Sequence, residues 1–164
     1  MLKKAVEKAL NNQVSMEEFA ARSYLSLGLW ADHNGFEGTA KFFYIQSQEE
    51  YGHMRKFIEF ILDAGGKPKL TTYEEPIPEG TSFKNLFETG LKHEKAVSKS
   101  IHGMVELAWK EKDLPAFEFL QWFVKEQVEE EANFQKILDK IEILEKHGGS
   151  LYMLDRELGM RAEK

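Results

Sequence analysis

The sequence predicts an all-α protein: a four-helix bundle with a long crossover between helices two and three and a short fifth C-terminal helix. Three observations carry that prediction. Turn signals are confined to a few places along the 164 residues, apolar residues between them recur at alternating steps of three and four, and no stretch follows the two-residue period of a strand. The turn signals are Asn34-Gly35, Gly65-Gly66, Pro68, Pro76, Pro78, Asp113 with Pro115, and Gly148-Gly149. They leave helical segments at about 3–33, 37–64, 83–111 and 114–146, each about 40 to 50 Å long, and a fifth at about 150–159.

Each long segment carries one seam suited to a buried stripe. In the first it reads Val6, Leu10, Gln13, Glu17, Ala20, Tyr24, Leu27, Ala31, and in the second Phe43, Gln46, Glu50, His53, Phe57, Phe60, Ala64. The third reads Phe83, Phe87, Gly90, Glu94, Val97, Ile101, Met104, Ala108, and the fourth Ala116, Leu120, Phe123, Gln127, Glu130, Phe134, Ile137, Ile141, Leu144. Short links near 34–36 and 112–114 make antiparallel hairpins. The 18 residues from Gly65 to Ser82 reach about 60 Å when extended, enough to run the length of a helix and set helices two and three parallel. Within them, the acidic stretch from Tyr73 to Gly80 suits a surface strap. Leu151, Leu154 and Leu158 share one face of a fifth helix too short to stand alone, so it must dock. Phe43, Phe57, Phe134 and Trp122 are expected to pack around the core, and Gly28, Gly52, Gly90 and Gly103 to allow close helix approach.

Composition narrows the chemistry. There is no Cys, which excludes disulfides, thiolate metal sites, iron-sulfur clusters and thiol nucleophiles. A net charge of -6 without a basic arm disfavours nucleic acid and favours cations. No apolar run approaches a membrane span and the charged start has no leader-like core, so a cytoplasmic, soluble protein without membrane or nucleic-acid partners is expected.

All four seams pass from apolar to acidic or amide and back near mid-helix. Glu17, Glu50, His53, Glu94, Gln127 and Glu130 would meet at one level, with Gln13 and Gln46 a turn away. Four buried carboxylates without a seam Lys or Arg would each cost several kcal/mol (an order-of-magnitude figure), and two divalent cations would cancel their charge. A Glu from each of two helices with Glu-x-x-His pairs from the other two is how helical bundles hold two iron or manganese ions; here the second pair is Gln127-x-x-Glu130. Spacing adds a separate argument. Glu17 to Glu50 and Glu94 to Gln127 are both 33 residues, and the halves are offset by 77, as a duplicated helical hairpin would be. A carboxylate-rich, sulfur-free set with one imidazole suits Fe, Mn or Mg, with Zn as a competitor, and stabilises ferric iron. Tyr24, two turns after Glu17 on the same face, is placed to hydrogen-bond a ligand or supply an electron.

Glu17 with Tyr24, the block Gln48-Glu49-Glu50-Tyr51-Gly52-His53, Lys92-His93-Glu94 and the run from Phe119 to Glu131 resemble the bacterial non-haem ferritins. Phe36-Glu37-Gly38 and the segment from Leu151 to Asp155 extend the resemblance over nearly the whole chain. It implies a single ferritin-like di-iron domain over 1–164, with its bundle at about 3–146, forming a 24-subunit cage that stores iron. It implies a ferroxidase taking Fe(II) and O2 or peroxide, with one iron on Glu17, Glu50 and His53, the other on Glu50, Glu94 and Glu130, and Gln127 close by. Glu50 would bridge the two. A third, outer iron would use Glu49, Glu126, Glu129 and Glu130. The fifth helix would line a four-fold axis.

Departures from neighbouring families fit the same reading. Tyr51 stands where haem-containing relatives place a ligating Met, so no haem is expected, and the Cys-ligated iron domain of rubrerythrin-like relatives is impossible. Two alternatives are a di-metal oxidoreductase acting on another substrate, which would want a pocket beside the metals that the Phe- and Ile-closed seams do not suggest, and a sequestering cage with little catalysis, which the intact ligand set disfavours.

Overall fold

Five helices occupy the segments between the turn signals: α1 Lys4–His33, α2 Glu37–Asp63, α3 Phe83–Lys110, α4 Leu114–His147 and α5 Leu151–Gly159. The computed structural model describes residues 2–71 and 77–161, and among these there is no strand. The boundaries follow local chemistry. The side chains of Ser82, Asp113 and Ser150 accept backbone N–H groups of Asn85, Ala116 and Tyr152, capping α3, α4 and α5. Gly148, at φ 67°, closes α4 in the left-handed region that glycine adopts without strain.

Two apolar clusters define the topology. One combines Tyr24, Leu27 and Ala31 late in α1 with Phe42 and Phe43 early in α2, Leu86 and Phe87 early in α3, and Phe134 and Ile141 late in α4. The other combines Leu10 and Val14 early in α1 with Phe57 and Ile61 late in α2, Ile101 and Met104 late in α3, and Leu120 and Phe123 early in α4. The starts of α2 and α3 therefore share one end of the bundle, so these helices run parallel while α1 and α4 run the other way.

The crossover makes this possible. Its first residues lie along α1: Lys67 N–H donates to Glu7 Oε1 at 2.8 Å, Lys69 N–H to Asn11 Oδ1 at 2.6 Å, and Ser15 and Thr71 share a 2.6 Å hydroxyl bond. At the far end Gly80 is pressed against Trp30 and Leu86. Of the expected acidic strap, Tyr73 to Pro76 lie outside the described residues.

α5 docks on the N-terminal end of α2. Asp155 accepts from Gly38 N–H at 3.2 Å, Thr39 N–H at 2.8 Å and the Thr39 hydroxyl at 2.7 Å, an anionic cap on the positive end of a helix. A Cβ at Gly38 would stand 1.8 Å from the Asp155 carbonyl oxygen, so that docking requires glycine. Gly28 against Tyr44 and Gly90 against Phe134 also mark close approaches, whereas a Cβ at Gly52 or Gly103 would meet nothing within 4 Å. Helix packing accounts for the first pair and not for the second.

Candidate metal centre

Between the two apolar clusters lies a polar layer. Glu17, Glu50, His53, Glu94, Gln127 and Glu130 are all buried, none more than 4 % exposed, as are Gln13 and Gln46. Among the described residues no Lys or Arg is buried with them. The heptad seams bring these side chains inward, and the flanking apolar turns exclude water above and below.

Glu17, Glu50 and His53 are the one group among the described residues whose ligating atoms all come within 4.8 Å of one another. Glu50 and His53 stand three residues apart on one face of α2, with His53 Nδ1 3.1 Å from Glu50 Oε2. The His53 ring is fixed edgewise against Trp122 and Phe123, at centroid distances of 5.6 and 5.7 Å. Gln13 Nε2 donates to Glu17 Oε1 at 2.8 Å. Glu17 Oε2 and Glu50 Oε1 are buried acceptors without a donor, which a cation would satisfy.

Glu94 and Glu130 occupy the same layer with other partners. Tyr24 donates a short hydrogen bond to Glu94 Oε1, Gln127 Nε2 donates to Glu94 Oε2 at 3.1 Å, and Gln46 Nε2 to Glu130 Oε2 at 3.2 Å. Thus the six predicted residues gather at one level; the ligating atoms of Glu17, Glu50 and His53 converge, whereas both oxygens of Glu94 accept from neutral donors. Tyr24 and Gln127 orient Glu94.

Burial governs the electrostatics. It pushes the Glu17 carboxyl well above the usual carboxylate range, and the Glu50 charge adds to it. Glu50 is raised first by burial and then by Glu94. Glu94 is pushed up to about 7 by burial, against the pull of the Tyr24 hydrogen bond. The Tyr24 hydroxyl is also raised, by burial and then by Glu94. Near neutral pH the metal-free layer therefore retains protons, and bound cations would replace them.

Of the predicted outer residues, Glu130 belongs to the buried layer and the other three lie nearer solvent. Glu49 and Glu126 line a pocket of about 470 Å³ together with Gln48, Gly52, His53 and Trp122, while Glu129 is exposed on α4. Trp122 packs beside the site, edge-on to His53, rather than in the core: it is 41 % exposed with the Lys56 ammonium 4.3 Å above its ring, because it falls between seam positions Leu120 and Phe123. A cavity does lie beside the centre, with the charged side chains of Glu49, Glu126 and Lys56 in its wall rather than a mostly apolar lining suited to an organic substrate.

Sequence reasoning missed Ser98 and Ser100. Ser98 Oγ lies 3.4 Å from Gln127 Nε2 and donates to Glu131, and Ser100 Oγ donates to Gln13 Oε1 at 2.6 Å. Ser98 is one helical turn after Glu94, a spacing that could have revealed it. Half-buried His93, in the Lys92-His93-Glu94 block, is tilted against the Tyr24 ring, and burial lowers its pKa.

Comparison with known proteins agrees with this architecture. The sequence model described as Ferritin-like domain matches residues 7–144. The chain is 40% identical over 164 residues to a probable bacterial non-heme ferritin-like protein of Haemophilus influenzae, covering 100% of this chain and 99% of the relative. It is 38% identical over 156 residues to a bacterial non-heme ferritin of Campylobacter jejuni, covering 95% and 93%. Among solved structures, an open pore ferritin from the hyperthermophilic archaeon Archaeoglobus fulgidus superposes with a TM-score of 0.94 at 38% identity, covering 99% of this chain and 100% of that one.

Proposed function

The chain belongs to the ferritin family, and on that premise we propose that it is a ferroxidase that takes up Fe(II), oxidises it with dioxygen or peroxide, and stores the ferric product inside a cage of 24 copies. The buried triplet of Glu17, Glu50 and His53, with unpartnered carboxylate oxygens and no buried Lys or Arg among the described residues, carries this reading. Residues 1–164 act as one domain, and the protein works in the cytoplasm.

Iron is the substrate. One ferrous ion is held by Glu17, Glu50 and His53, and a second by Glu50, Glu94 and Glu130, with Glu50 shared between them. A cation supplies the positive charge that these buried carboxylates lack, and its binding releases the protons that burial holds on them, so binding tightens as pH rises. Two ions side by side give up one electron each to the oxidant, and hard carboxylate oxygens favour the ferric state that results. Tyr24 and Gln127 hold Glu94 through hydrogen bonds, so that the second position is oriented before iron arrives. Glu49, Glu126 and Glu129, with Glu130, form an outer site that takes a third iron. The pocket at Glu49, His53 and Trp122 gives that site solvent access.

The test is stopped-flow absorbance after oxygen is admitted to apo protein loaded anaerobically with Fe(II), with particle size followed by light scattering. The expected result is rapid oxidation of pre-bound iron by a large shell. A shell that binds Fe(II) without oxidising it faster than free iron would favour a sequestering cage, and failure to bind iron would refute the assignment.

A further inference from the structure

Glu49 is held by the far end of its own chain. Arg161, two residues beyond α5, donates from Nη2 to Glu49 Oε2 at 2.5 Å. Both side chains are largely buried, at 18 % and 14 % exposure. The Arg161 guanidinium also lies 4.7 Å from the centroid of the Phe42 ring, and Phe42 is two turns before Glu49 on α2. This contact follows from how α5 is docked. Asp155 clasps Gly38 and Thr39 at the start of α2, Lys41 Nζ donates to the Gly159 carbonyl at 3.0 Å, and those bonds aim the next residues along α2 towards Glu49.

The pair is incompletely satisfied. Glu49 Oε1 and Arg161 Nη1 are both buried without a partner, so the guanidinium holds one carboxylate oxygen and leaves the other available. A divalent cation needs that carboxylate, and a fixed positive guanidinium beside it would oppose the cation at short range. Glu49 cannot be fully engaged by both.

We propose that Arg161 is a built-in counter-ion of the outer iron site, seated on Glu49 when the site is empty and displaced by the arriving metal. The inference rests on the reading of Glu49 as an outer-site ligand. Two consequences follow: the outer site binds more weakly than its carboxylates alone would dictate, and its filling releases Arg161 from α2.

Anaerobic Fe(II) titration calorimetry of the full assembled protein tests this, because it reads binding apart from oxidation. Arg161→Gln tightens the third ferrous equivalent by about tenfold, the scale of one charge-assisted hydrogen bond, and leaves the first two unchanged. Arg161→Lys keeps the charge, loses the planar fork and gives a smaller gain, which serves as the test should the Gln variant fail to assemble. Glu49→Gln removes the third equivalent with either residue at 161. If Glu49→Gln leaves three equivalents intact, the reading of the outer site falls. If it removes one, but the Arg161 variants leave the third affinity unchanged or weakened, the counter-ion role falls and the site stands.

Discussion

Glu17, Glu50 and His53 on α1 and α2 face Glu94, Gln127 and Glu130 on α3 and α4 across one buried layer, at matching spacings of 33 residues within each half. In the first triplet the ligating atoms converge within 4.8 Å, and two carboxylate oxygens have no donor. In the second, Tyr24 and Gln127 supply neutral donors to both oxygens of Glu94, while Gln46 reaches one oxygen of Glu130, as Gln13 reaches one of Glu17 in the first half. The exchange of His53 for Glu130 at equivalent positions leaves the imidazole in the first half alone. On the proposed reading the first half is expected to bind an incoming cation more readily, because at Glu94 a metal must share or displace two hydrogen bonds.

The largest break in that comparison is expected from Glu50→Ala, which removes the carboxylate proposed to serve both halves. Stopped-flow initial rates should fall by at least about a hundredfold, beyond the loss usual for outer-shell partners. The metal-free cage should be no less stable in thermal unfolding, because a buried carboxyl without full compensation is lost. Unchanged initial rates would show that oxidation occurs elsewhere.

Separating the halves gives the next effect. His53→Ala is expected to weaken the first ferrous equivalent by about tenfold to a hundredfold, whereas Glu130→Ala should keep a tight first equivalent and lose the second. Anaerobic titration of both variants distinguishes them, and identical losses would erase the asymmetry.

The pH dependence of the metal-free protein follows from the raised carboxyls. A folded-state pKa above the unfolded value contributes stability that is fully present below about 4.5 and is lost as pH rises through the folded value, about 7 for Glu94 and higher than usual also for Glu17 and Glu50. Denaturant midpoints should therefore fall between about pH 5 and about pH 8, and saturating Fe(II) under anaerobic conditions should reverse the trend. A midpoint that rises with pH in metal-free protein would contradict the assigned burial.

The smallest effect is expected from Tyr24→Phe, which deletes one hydrogen bond to Glu94. The second ferrous equivalent should weaken by roughly fivefold, the worth of about 1 kcal/mol, with the first unchanged. An equal loss in both would mean that Tyr24 supports the whole layer.

The asymmetry itself marks where the sequence stops being legible. Seam positions are local, so Glu17, Glu50, His53, Glu94, Gln127 and Glu130 could be placed at one level from periodicity, and the 18-residue link was long enough to let α2 and α3 run parallel. Which neutral donor meets which carboxyl depends on helix rotation: Gln46 reaches across to Glu130, and Ser100 to Gln13, in ways that spacing does not encode. Trp122 shows the same limit, since one step off the seam left it half-exposed. Arg161 lies 112 residues from Glu49, and nothing in local pattern joins them. Asp155 on the start of α2 makes that contact possible, and it too is visible only in three dimensions.

The most direct measurement of the asymmetry is anomalous diffraction at the iron edge from crystals loaded anaerobically with one equivalent of Fe(II) per chain. The expected result is iron concentrated among Glu17, Glu50 and His53, with the position at Glu94 and Glu130 largely empty. Iron appearing first between Glu94 and Glu130, or evenly over both positions, would contradict the division of the layer into a cation-ready half and a hydrogen-bonded half.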